Sequence, residues 1–187
     1  MVFRCSEPMH RGHQERLAPM LAEAMTGAGA SFADLDRVGV TVGPGSFTGL
    51  RVGLAFAKGL AVARGIPCVG IGTLEALAAS VGGIGRVIAA VDAKREQLYL
   101  QSFEGGHAEA EPEAIFIRDI RFSNSSYELT VVGSGAAVLV PAFRNARIVP
   151  LAAPDPVAIA RLAAAADPAS TPPQPIYLRP PDARLPS

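Results

Sequence analysis

The stretch VGVTVGPGSFTGLRVGLAFAKGLAVARGIPCVGIGTLEAL, residues 38–77, decides how the rest of the chain is read. Val38 to Val42 alternates in a way that predicts a buried strand. Gly43-Pro44-Gly45-Ser46 is turn chemistry. From Thr48 an apolar segment runs to Arg64 and stops at Gly65, with Pro67 beyond it, the usual ending of a helix. Cys68 to Gly72 predicts a second strand. Thr73 then caps another helix, and Glu75 in its first turn suits the positive end of the helix dipole. Strand, turn, helix and strand make a parallel crossover, the unit of an α/β fold.

The polar residues of the long helix are few: Thr48, Arg51, Lys58 and Arg64. Gly49, Gly53, Ala57 and Ala61 recur every fourth residue, with Leu50 and Leu54 beside them. A glycine inside a helix costs up to about 1 kcal/mol against alanine, so two on one stripe point to close packing. One apolar side fits the sheet and a second fits a partner subunit; the alternative is a helix buried on both sides within one domain. A preceding helix is predicted from Gly12 to Gly27, with Leu17, Met20, Leu21, Ala24, Met25 and Ala28 on one face. Pro19 inside that pattern predicts a kink or a start nearby. The expected interface is Leu17, Met20, Leu21 and Met25 from this helix, with Gly49, Leu50, Gly53, Leu54, Ala57 and Ala61 from the long one. Val2 to Cys5 reads as the end of a strand, and Ser31 to Asp36 as a turn capped by Ser31.

Gly82-Gly83-Ile84-Gly85 reads as a boundary between two subdomains, 1–84 and 85–187. Beyond it the pattern predicts strands at Arg86–Val91 and Gln97–Phe103, then a turn at Gly105-Gly106 and a strand at Ala114–Ile117. Thr130–Val132 and Arg147–Pro150 are further strands, with Gly133-Ser134-Gly135 opening a short helix between them. Asp155 caps a last helix with Pro156 at its first position, running to Ala166. The proline-rich end, Pro168 to Pro186, predicts an extended arm in which Ile176 to Arg179 docks as one ordered piece.

The 187 residues carry 17 basic and 17 acidic side chains. Each side of Gly85 is nearly balanced, 7 basic and 6 acidic residues before it and 10 and 11 after it, which argues against a nucleic-acid binder acting alone. Cys5 and Cys68 form no disulfide framework or zinc pattern. No leader and no bilayer-length apolar run is visible, so the expected location is the cytoplasm and no membrane is expected as a partner.

Gly43, Gly45, Ser46 and Thr48 sit where a strand meets a helix, a position at which backbone N–H groups attract phosphate. The spacing matches neither a P-loop nor G-x-G-x-x-G. A tight turn that needs glycine is the other reading. His10 and His13 stand three apart without a supporting ligand set, so no metal site is expected. Asp92, Lys94, Arg95 and Glu96 form a charged turn, read as a hairpin tip. No nucleophile elbow is visible, and no catalytic residue is expected.

GPGSFTGLRVGLAFAKGLA with IPCVGIGTLEALA closely resembles the bacterial TsaB (YeaZ) family. The likeness continues through His13–Pro19, Val91–Arg95, Gly133–Ala136 and Tyr177-Leu178-Arg179. It implies an actin-like (RNase H-like) α/β fold of two subdomains. That fold opens with a hairpin carrying Asp and Ser or Thr; here the chain reads as beginning at the third strand, N-terminally truncated. In this superfamily Gly133-Ser134-Gly135 corresponds to an adenosine-side loop, so a vestigial ATP/ADP site is implied, with no cofactor required. The catalytic relative TsaD carries a His-x-x-x-His motif where this chain has Thr73 to Leu77. The resemblance therefore implies a non-catalytic subunit of tRNA threonylcarbamoyladenosine synthesis. Its partners would be a TsaD-like paralogue and a TsaE-like ATPase, with a homodimer in isolation and tRNA met only through the complex. The alternatives are a small actin-like ATPase or phosphotransferase and a metallopeptidase-like (glycoprotease-like) protein.

Overall fold

The computed structural model describes residues 3–7, 12–82, 85–120, 128–143 and 145–179. The crossover predicted from residues 38–77 is present: β1 (Val38–Gly43), α2 (Phe47–Arg64) and β2 (Cys68–Gly72), preceded by α1 (His13–Ala28). β1 and β2 pair in parallel, Val38 opposite Cys68. The Ser46 hydroxyl accepts from the Gly49 N–H at 3.4 Å and starts α2. Gly65, at φ 65°, ends it, and its N–H is directed back at the carbonyls of Ala61 and Val62. Such a left-handed cap suits glycine, which has no Cβ to clash.

The second sheet holds β3 (Arg86–Lys94), β4 (Gln97–Glu104), β5 (His107–Ala108), β6 (Glu113–Phe116), β7 (Leu129–Val132) and β8 (Arg147–Val149). The strands run in the order β5-β4-β3-β7-β8, with β6 also paired to β4. β3 lies antiparallel to β4 and parallel to β7. α3 (Thr73–Ser80) stands between the sheets. Its Ala76 packs with Val69, Ile71 and Ala163. Its Leu74, Leu77 and Ala78 pack with Val87, Phe103 and Val132. Every buried residue of these clusters is apolar, so α3 joins the two cores without a buried polar group.

The two sheets fall on either side of Gly82, yet the chain does not divide there. α4 (Pro156–Ala165), started by the Asp155 carboxylate accepting from Val157 N–H at 3.0 Å, returns to the first sheet. It covers the face of β1 that carries Gly39, where a Cβ would lie 2.5 Å from the Ala163 Cβ. α2 covers the opposite face. The proline-rich segment starts on the outer edge of β2, where Gly70 N–H donates to Thr171 O at 2.9 Å, and crosses to the end of β1, where Ile176 N–H donates to Val42 O at 2.8 Å. A sheet needs both faces and its edges covered, and the first sheet recruits residues 156–176 for this.

Arg37 fastens that return. Its guanidinium, beside β1, donates to Ala163 O at 2.7 Å and to Ala166 O, two carbonyls left unpaired at the end of α4. A cation at a helix C-terminus also favours the dipole. Arg37→Met is expected to cost roughly 1.5 kcal/mol, the size of one charged hydrogen bond. A urea titration checks it; an unchanged midpoint would show that the contact contributes nothing.

Two local expectations change. Phe3 to Cys5 is not a strand; instead the Phe3 ring lies on Gly27, leaving no room for a Cβ there. α1 begins at His13 and runs through Pro19. Pro19 and Glu15 are both exposed, so water can satisfy the carbonyl that proline leaves without a donor. The Ser31 cap is present, its N–H and hydroxyl donating to Asp34 at 2.8 and 2.9 Å.

Candidate functional site

The stretch GPGSFTGLR and the Tyr177–Arg179 tripeptide meet in space. β1 delivers Gly45 and Ser46 to the start of α2, β3 delivers Asp92 and Lys94, and the C-terminal segment brings Tyr177 and Arg179. Together they line an open cleft of about 640 Å³. Phe47 and Tyr177 stand at its mouth, 45% and 46% exposed. Their ring centroids are 5.5 Å apart at an interplanar angle of 38°. The Arg51 guanidinium covers Phe47 at 3.8 Å and donates to the Tyr177 hydroxyl at 3.4 Å. Arg179 donates to Ala93 O at 3.3 Å and to Gln97 Oε1 at 3.0 Å, which fixes the segment on the β3–β4 turn.

That turn is the hairpin tip read from the sequence. Lys94, Arg95 and Glu96 all have positive φ, 61°, 53° and 59°. Asp92 accepts from the Lys94 ammonium at 2.7 Å and from its backbone N–H at 2.8 Å. These two bonds, the side-chain one first, hold the Asp92 carboxyl below its ordinary value. A carboxyl depressed in the folded state stabilises the fold above its unfolded value, near pH 4, and that stabilisation is lost as pH falls through the lower folded value. Asp92→Asn is therefore expected to lower the neutral plateau of a stability–pH curve slightly and to flatten its acid limb below about pH 4, the two curves converging at the acid end. An acid limb identical to that of the parent would refute this.

The two glycine loops do not share the cleft. Gly45, Ser46 and Thr48 are exposed at the start of α2, with Gly45 and Ser46 on the cleft wall, but Gly43 is buried beneath the C-terminal segment. A Cβ on Gly43, at φ 106°, would lie 2.9 Å from Ile176 O. Gly133 and Gly135 are buried against β3, the latter donating to Ala90 O at 3.0 Å. Ser134 Oγ accepts from the Asp92 N–H at 3.1 Å. Close approach of β3 explains the glycines at 133 and 135, and Ser134 between them is exposed. His10 lies outside the described residues, as does the side chain of His13. Among the described residues no group of three or more His, Cys, Asp or Glu is placed to hold a metal. No described helix is long and apolar enough to cross a membrane.

The interface set divides. Leu50, Leu54, Ala57 and Ala61 are buried on the chain's own sheet and cannot meet a partner. Gly49 and Gly53 stand at the edge of that buried arc and line a groove of about 180 Å³ with Leu17, Met20 and Val52, while a Cβ on Gly53 would point at Val40 Cγ2 of β1. The Arg16–Glu7 pair, 2.7 Å, closes one end. The reason is the helical period: at roughly 100° per residue, a stripe of every fourth residue drifts about 40° per step and passes from one face to the next. The apolar strip beside α1 is Gly49, Val52, Gly53, Phe56 and Leu60, all half-buried. Leu17, Met20, Leu21, Ala24, Met25 and Ala28 of α1 are half-buried too, and none of them is buried.

The family described as "TsaD: tRNA N6-adenosine threonylcarbamoyltransferase" matches residues 7–121. The Escherichia coli K12 protein described as tRNA threonylcarbamoyladenosine biosynthesis protein TsaB is 36% identical over 136 residues, 67% of this chain and 58% of that protein. The chain belongs to the TsaB (YeaZ) family. Among further relatives of this TsaB-family chain, an uncharacterized protein of Mycobacterium tuberculosis H37Rv is 34% identical over 177 residues, 93% of this chain and 78% of its own length. YeaZ from Pseudomonas aeruginosa superposes with a TM-score of 0.76 at 24% identity, covering 92% of this chain and 87% of that one. The TsaB-family chain thus has the actin-like α/β fold, and it spans 58% of the length of the E. coli protein.

Neither Arg51 nor Tyr177 stood out as a site residue in the sequence. Each lies in a stretch that carries the family resemblance, but no periodicity joins positions so far apart.

Proposed function

We propose that this chain is a non-catalytic subunit in the formation of threonylcarbamoyladenosine on tRNA. It pairs through the α1–α2 face with a TsaD-type transferase, its own relative, and in isolation with a second copy of itself. The E. coli relative, a tRNA threonylcarbamoyladenosine biosynthesis protein, and the matching tRNA N6-adenosine threonylcarbamoyltransferase family support the pathway. One observation carries the pairing: α1 is amphipathic, yet every apolar residue on its inner face is only half covered. An uncovered apolar face of this kind marks an interaction site. In this role the chain needs no cofactor of its own, a TsaE-type ATPase joins through the assembly, and tRNA is bound by the complex.

The test is sedimentation of the purified chain, alone and mixed with the TsaD-type transferase of the same genome. A 1:1 complex that displaces the self-associated form is expected. A chain that stays monomeric in both settings would end this reading.

A further inference from the structure

The two sheets are joined at one end and open at the other. The chain crosses between them after α3 and again before α4, and the two crossings lie together: Asp155 N–H donates to Ser80 Oγ at 2.9 Å. β3 starts at Arg86, a short connection beyond α3, and runs to Lys94 at the cleft. At about 3.3 Å per residue, its far end stands roughly 25 Å from its start. There the start of α2 and the end of β3 do not pack; the cleft of about 640 Å³ separates them. At the seam, α3 keys into the second sheet with Leu74 and Leu77, whereas Ala76 meets the first. So small a side chain leaves a smooth seam, along which packed layers can shift.

Residues 171–179 cross the open end. The Gly70–Thr171 and Ile176–Val42 bonds fasten the segment to the first sheet. Just beyond, Arg179 donates to Ala93 O at 3.3 Å and to Gln97 Oε1 at 3.0 Å, both on the second sheet. Tyr177 lies between these anchors, beside Phe47 and Arg51. We propose that this segment is a clasp on the open end, with Arg179 as its latch. Engaged, it holds the cleft at its present width; released, it lifts from Ile176 onward and the sheets swing apart about the Ser80–Asp155 junction. The chain here suits that task. Pro172, Pro173 and Pro175 have no N–H to give, so the segment is tied at separate points rather than along a ladder. Ile176 and Leu178 have a cavity on either side, of about 740 and 640 Å³, so no packed core resists their movement. A segment held by a few half-exposed bonds opens at lower free energy than the strands it crosses.

Amide hydrogen exchange and electron–electron distance measurements on the intact chain test this together. Spin labels go on Thr48→Cys and Glu113→Cys, both exposed and on opposite sides of the cleft, in a Cys5→Ser, Cys68→Ala background. Dilution with unlabelled chain removes distances between copies. Arg179→Met is expected to speed exchange at the Ile176 amide by about tenfold or more, the loss of one charged hydrogen bond. It should also lengthen the label distance by about 4 Å, the displacement that a swing of roughly 10° gives over that lever. Arg179→Lys, which keeps a charged donor, should stay within about threefold of the parent exchange rate. Parent-like exchange in β4 and α4 shows that both sheets remain folded. Unchanged exchange at Ile176 would overturn the latch, and faster exchange at an unchanged label distance would overturn the clasp. Should Arg179→Met unfold, Gln97→Met, which removes one acceptor and keeps the strand, is read by the same two criteria.

Discussion

Gly53→Leu is expected to weaken association, with itself or with a TsaD-type partner, by 1–3 kcal/mol, or roughly 5- to 150-fold in Kd. The local geometry explains why the effect falls on association rather than on the fold. A Cβ at Gly53 would meet Val40 Cγ2 at 3.9 Å, an ordinary contact, and nothing closer. The chain's own sheet therefore does not require glycine at this position. Gly53 also lines the groove with Leu17 and Met20, and a leucine there would narrow the gap that a partner helix has to enter closely. Circular dichroism should stay nearly unchanged while sedimentation shows dissociation. The opposite pattern, a lowered melting temperature with the association constant intact, would place the glycine in the fold and remove it from the interface.

Gly133→Ala should do the reverse and act entirely on the fold. Gly133 sits at φ 116°, where side-chain-bearing residues are strained. Its Cβ would overlap the carbonyl oxygen of Ala90 and come within 3.2 Å of Leu77 Cδ1. Ala90 belongs to β3, the strand paired to both β4 and β7, so it cannot retreat without disturbing two ladders. Backbone strain and overpacking together are expected to cost roughly 2–6 kcal/mol, a large fraction of the stability of a domain this size. Urea unfolding checks it directly. A parent-like midpoint would mean that the loop opens freely, and the cleft would then have to be redrawn to include it.

These two glycines show what the sequence made legible. The crossover at residues 38–77 was readable because each of its boundaries carries local chemistry: Ser46 at the start of α2 and Gly65 at its end. Asp155-Pro156 at the start of α4 was readable for the same reason. The identity of the stripe on α2 was not. Whether Gly53 and Ala57 share a face depends on the drift of the helical period and on which arc the sheet covers, and the second is a tertiary fact. The loop at Gly133 looked like a ligand loop because glycine permits close approach, but composition does not say whether the approaching atom belongs to a ligand or to Ala90. The Phe47–Arg51–Tyr177 cluster was invisible because its parts come together only after the C-terminal segment has crossed between the sheets.

The return of α4 and residues 171–176 to the first sheet bears on how the protein is made. β2 leaves the ribosome long before the segment that covers its outer edge. At 5–20 residues per second, that edge waits roughly 5–20 s for Thr171 and Ile176 to emerge. During that interval the Gly39 face of β1 and the Gly70 edge of β2 have neither of their eventual covers. A newborn chain is thus most exposed to strand-to-strand aggregation while its second sheet is being synthesised, and a trigger for chaperone capture lies in the order of translation itself.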